Sequence, residues 1–120
     1  MKIVFNNSTI KIGDKEISFF NKKIGSAYQF NDIVIIIFEG DYPQKNMNYN
    51  NVVALDFNSG VLLWEIEMDV NIDFNNPYEG VSDAGAYFIF FKANSGKYAV
   101  NKLNGKLIKN IDFMTGNRPW

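Results

Sequence analysis

Asn51-Val-Val-Ala-Leu-Asp-Phe-Asn-Ser-Gly-Val-Leu-Leu-Trp-Glu-Ile66 is written a second time in this chain, as Gly96-Lys-Tyr-Ala-Val-Asn-Lys-Leu-Asn-Gly-Lys-Leu-Ile-Lys-Asn-Ile111. The copies lie 45 positions apart without a gap, so Ala54 falls on Ala99, Gly60 on Gly105 and Ile66 on Ile111. Each copy reads strand, turn, strand: apolar residues rich in β-formers flank an Asn/Ser/Gly turn. A period of this size marks architectures built from one repeated supersecondary unit, propeller blades among them.

The unit extends beyond the hairpin. A strand that is apolar on both faces precedes each copy, first Ile33-Val-Ile-Ile-Ile-Phe38 and then Ala86-Tyr-Phe-Ile-Phe-Phe91. Such a strand belongs in the middle of a sheet. The first linker between buried strand and hairpin is longer than the second by eight residues. A fainter third copy places Thr9-Ile-Lys-Ile-Gly-Asp-Lys15 on Ala54 to Gly60.

Strands are expected at 3–5, 9–12, 16–20, 23–30, 33–39, 51–57, 61–67, 86–92, 97–102 and 106–113, with no helix. Gly40 to Asn50 and Glu79 to Asp83 read as loops, and the tail from Met114 to Trp120 as irregular. The expectation is a single all-β domain over 1–120, with hairpins at 51–67 and 97–113 and the faint copy near 9–20. Each unit is an antiparallel, blade-like meander of three strands, with room for a fourth. A chain of 120 residues holds fewer than three such units at this period, and closed propellers need about four or more. The sheets therefore form an incomplete propeller-like array or a two-sheet sandwich, or close with a partner copy. Phe19, Phe20, Ile35, Ile37, Phe88 and Phe90 are the expected core.

Composition excludes more than it suggests. The chain has no cysteine and no histidine. Disulfides, thiolate metal sites and cysteine nucleophiles are thereby excluded, as are Ser-His-Asp triads and almost every zinc site. With 47% hydrophobic residues, it has enough apolar surface to fold. No signal-peptide pattern and no apolar run of spanning length is present, so a cytoplasmic protein without membrane contact is expected.

The net charge is −1, but the charges are segregated. Residues 46–91 hold seven acids and no Lys or Arg; residues 92–120 hold five Lys, one Arg and a single acid. This asymmetry bears on partners rather than on fold.

Val53-Ala-Leu-Asp-Phe-Asn-Ser-Gly-Val-Leu-Leu-Trp64 resembles the repeat of quinoprotein-type (PQQ-like) propellers. There, a strand ending in Ala-Leu-Asp leads through a Gly-terminated turn to a strand ending in Trp. Asp56 is suited to cap the turn, Gly60 to take positive φ and Trp64 to fill space between sheets. The second copy has Asn101 for Asp56 and Lys109 for Trp64. Quinone binding is not carried over, because that site needs a complete propeller, and no cofactor is expected.

In size, composition and repeat style the whole chain resembles the immunity proteins of bacterial polymorphic toxin systems, contact-dependent growth inhibition being the nearest case. The resemblance implies a protein that binds and blocks one cognate toxin. Toxins that act on nucleic acid carry basic clefts, which an acidic inhibitor meets with favourable steering. The candidate partner-binding residues are therefore Glu65, Glu67, Asp69, Asp73, Phe74, Tyr78, Glu79 and Asp83. The acids supply charge and the two aromatics anchors; the loop Gly40 to Asn50 is a possible addition.

Other readings are weaker. Asp69, Asn71 and Asp73 match the first ligand positions of a calcium loop, but Phe74 stands where Gly is required and Gly80 where the bidentate Glu belongs. That segment is better read as an edge strand with outward acids. Glu65 and Glu67 share a strand face about 7 Å apart, but so short a chain has little room for a sugar cleft, and no enzymatic activity is expected. The basic set Lys92, Lys97, Lys102, Lys106, Lys109 and Arg118 lacks a nucleic-acid recognition motif. Complementary acidic and basic segments also offer a route to homo-oligomers, and the alternative function is a non-catalytic propeller-fragment scaffold or interaction module that self-associates.

Overall fold

The computed structural model describes residues 3–19, 22–39, 51–67, 78–92 and 96–108. The expected features at Phe20, Gly40 to Asn50, Asp69 to Phe74, and Lys109 onward lie outside these residues. The described residues are all-β. They form β1 (Ile3–Asn6), β2 (Thr9–Ile12), β3 (Lys15–Ser18), β4 (Ile24–Phe30), β5 (Ile33–Phe38), β6 (Val52–Asp56), β7 (Leu62–Glu65), β8 (Tyr78–Asp83), β9 (Tyr87–Lys92), β10 (Gly96–Asn101) and β11 (Leu107–Ile108).

Three antiparallel meanders follow one another along the chain: β1-β2-β3, β4-β5-β6-β7 and β8-β9-β10-β11. The second is sandwiched. On one face Val34, Ile36, Phe38, Val53 and Leu55 pack with Ile10 and Ile12 of the first sheet. On the other Ile35, Ile37, Val52, Ala54 and Trp64 pack with Tyr78, Phe88, Phe90 and Val100 of the third. This double burial explains the unbroken apolar run of β5: alternate side chains enter different cores. The architecture is thus three stacked sheets rather than two, because the faint copy at the N-terminus forms a sheet of its own.

The registers of the second and third sheets correspond. Ile33 pairs with Asp56; Tyr87, 54 positions later, pairs with Asn101, 45 positions later. The structural counterpart of Ile33 is therefore Tyr87 rather than Ala86, and the linkers differ by nine residues rather than eight. A bulge interrupts β4 between Ile24 and Ser26, and another interrupts β8 at the corresponding place, between Tyr78 and Gly80.

One expectation is corrected. Residues 79–83 are not a loop; they form most of β8, which pairs with β9 from Tyr78–Lys92 to Asp83–Phe88. Gly80, Ser82 and Asp83 are poor strand formers. Here the neighbouring strand and the Phe91 ring beside Gly80 impose the conformation, overriding local preference.

The turn chemistry of the quoted motif is built as its residues suggest. The Asp56 carboxylate accepts hydrogen bonds from the Ser59 N–H and Oγ, both at 2.8 Å, and Gly60 sits at φ 76°. In the second copy the Asn101 side-chain oxygen does similar work, accepting from the Leu103 N–H at 2.7 Å, with Gly105 at φ 75°. Asn therefore replaces Asp without loss of the cap, since a neutral amide oxygen also accepts.

Trp64 fills the space between the second and third sheets. It is 6% exposed, and its indole N–H donates to the Lys102 carbonyl at 2.8 Å. The ring lies so close to Gly105 that a Cβ there would collide with Cε3 of the indole. A related contact joins the first and second sheets, where Ile17 of β3 approaches Gly60.

Candidate functional site

The described acids of the seven-acid segment do not form one surface. Asn51 is the one buried polar residue among the described residues, at 2% exposure. It immediately precedes β6. Its side-chain amide donates to the carbonyls of Phe38 at 3.1 Å and Tyr78 at 2.8 Å, and its side-chain oxygen accepts from the Tyr78 N–H at 3.3 Å. The end of β5, the start of β6 and the start of β8 are thus pinned together. A buried amide so satisfied rigidifies its surroundings, and losing it would leave several polar groups without partners.

Three of the predicted acids lie on β7, directly after it, and on β8. Glu65 lies opposite Val53 in the β6–β7 register, two positions from Asn51. Glu67 follows Ile66, whose N–H donates to the Val52 carbonyl at 3.1 Å. Glu79 follows Tyr78 in the β8 bulge. All three are exposed. They do not have equal freedom: Glu67 Oε1 accepts from the Leu107 N–H at 2.7 Å, and its own N–H donates to the Gly105 carbonyl at 2.9 Å. Glu67 therefore ties the second sheet to the start of β11 as well as contributing charge.

Asp83 lies elsewhere, at the far end of β8. Its carboxylate receives Lys102 Nζ at 2.6 Å and the Gly85 N–H at 2.8 Å. Those two donors, Lys102 first, hold the Asp83 carboxyl below the usual carboxylate range. Lys102 also stands over the Phe88 ring, 5.0 Å from its centroid. An acid and a base from the two oppositely charged segments thus neutralise each other, and Asp83 belongs to this internal pair rather than to a free acidic face.

Tyr78 is a second correction. It is 1% exposed and packs edge-on against Phe90 and Tyr98, with ring centroids 5.7 and 5.6 Å apart. The bulge after it turns Glu79 outward and leaves the ring in the core. It anchors the third sheet and is not available to a partner as a surface aromatic. Asp69, Asp73 and Phe74 lie outside the described residues. Sequence reasoning missed Asn51 and Lys102. A lone Asn before an apolar run reads as a turn residue, and the Lys102–Asp83 pairing depends on strand order rather than spacing.

Residues 1–113 match a sequence family described as Domain of unknown function (DUF7957), and the chain belongs to that family. No curated protein and no solved structure matches it.

Proposed function

We propose that this DUF7957 member is a cytoplasmic immunity protein that binds one cognate toxin domain, basic and nuclease-like in character, and occludes its active site. The observation that supports the reading is that Glu65, Glu67 and Glu79 are all exposed on or beside packed strands. Exposed acids held on packed strands form a negative surface that needs little ordering on association. Such a surface speeds encounter with a basic cleft and disfavours acidic partners. The resemblance in size, composition and repeat style supports the same reading. Occlusion requires no chemistry from the inhibitor, so no catalytic role is assigned to any residue.

The test is co-expression with the toxin domain encoded beside this protein's own reading frame. The protein is expected to protect the host cell and to co-purify with that domain. A double variant Glu65→Lys with Glu79→Lys is expected to lose protection while remaining folded, because both side chains are exposed. Failure of the unaltered protein to protect or co-purify would overturn the reading.

A further inference from the structure

Among the described residues the first sheet lacks a strand that the other two possess. It has three strands, whereas each of the others has four. Which strand is missing follows from contacts between sheets. Ile17 of β3 approaches Gly60 as Trp64 of β7 approaches Gly105, so β3 corresponds to β7. The Ile24 N–H donates to the Asn7 carbonyl, just before β2, as the Tyr78 N–H donates to the side chain of Asn51, just before β6. Hence β2 corresponds to β6 and β1 to β5. The missing strand is the counterpart of β4 and β8, and its place is the outer edge of β1.

That edge has the marks of a vacant strand position. Among the described residues no strand pairs with it. Val4 and Phe5 of β1 are 57% and 38% exposed. Edge strands are commonly guarded by charge, bulges or proline. At four other sheet edges, β3 carries Lys15 and Glu16, β7 carries Glu65, and β4 and β8 are bulged, while β11 is uncharged over its two described residues. From Ile3 to Asn6, β1 carries no charge, no proline and no bulge.

We propose that this edge takes the β1 strand of a second copy of the chain, antiparallel, so that two first sheets join into one continuous sheet across a two-fold axis. The strand that fills the place in the second sheet shows what chemistry fits: β4 is uncharged from Ile24 to Phe30 and runs antiparallel to β5. β1 is a strand of the same kind, so it is both the open edge and a suitable filler. Being uncharged, it meets its own copy without like-charge repulsion.

Sedimentation equilibrium of the full chain over a concentration series tests the proposal. The unaltered protein is expected to form dimers, and Val4→Lys to weaken dimerisation at least about tenfold by placing like charges across the axis. Val4→Thr, which keeps strand propensity, and Leu63→Lys, on the exposed part of β7, are expected to remain dimeric. Amide exchange in β1 of the unaltered protein is expected to slow as concentration rises at the alternate residues whose N–H faces the open edge, a readout independent of how the variants fold. A monomer at every concentration, dimers unaffected by Val4→Lys, or equal loss in Val4→Lys and Leu63→Lys overturns it. So does a monomer that instead captures a peptide of the Ile24–Phe30 sequence.

Discussion

Gly105 carries two demands at once, a positive φ and an indole against its Cα. Gly105→Ala meets both, because its Cβ would stand 2.7 Å from Trp64 Cδ2 and 2.9 Å from the Glu65 carbonyl oxygen. A destabilisation of about 2–4 kcal/mol is expected. Gly60 makes the same backbone demand, but its Cβ would meet only the ends of Ile17 and Lys15 side chains, at 3.3 and 3.4 Å. Gly60→Ala should therefore cost about 1–2 kcal/mol. Urea unfolding of the two variants checks this order, and equal losses would contradict the close approach at Gly105. The sequence made both glycines legible, since each ends an Asn-containing turn. It could not show which one also faces a tryptophan from another sheet, because that contact spans two units. Asn51 was illegible for the same reason: its partners are Phe38 and Tyr78, on different strands. Asn51→Ala should cost about 2–3 kcal/mol, the penalty of buried peptide groups left without partners. A neutral result in the same unfolding measurement would contradict the junction.

At the scale of strands, the quoted hairpin was readable because its signals are local: alternation, an Asp cap and a Gly turn. β8 was not. Tyr78-Glu-Gly-Val-Ser-Asp83 looks like a loop until β9 is beside it. Its far end is fixed by Asp83, whose carboxyl is depressed by Lys102 and by the Gly85 N–H. Asp56 is depressed likewise, by the Ser59 hydroxyl and then the Ser59 N–H. A carboxyl whose folded pKa lies below its unfolded value of about 3.9 adds stability that is present above that value. That stability is lost as pH falls through the folded pKa. The acid-side loss should therefore appear below about pH 4. Asp83→Asn and Asp56→Asn should each flatten this part of the stability–pH profile, measured by thermal unfolding between mildly acidic and strongly acidic buffers. An unchanged profile in both variants would contradict the assignment.

Across the whole molecule, three sheets stack so that the second is buried on both faces, and the acidic residues are divided by that stacking. Part of the charge segregation seen in the sequence is consumed internally, by Lys102 on Asp83 and by the bond from the Leu107 N–H to Glu67. Self-association through opposite charges loses those groups, and the uncharged edge of β1 becomes the better route to a dimer. What remains for a basic partner is the exposed set Glu65, Glu67 and Glu79. Because Glu67 also holds β11, Glu65 and Glu79 are the cleaner probes of charge alone.

The most direct measurement is the affinity of the purified protein for the toxin domain encoded beside it, at low and at near-physiological salt. The account predicts tight binding that weakens as salt rises, and a Glu65→Lys, Glu79→Lys double variant that binds at least about tenfold more weakly at low salt with a flatter salt response. Binding that is indifferent to both salt and the double substitution would contradict it.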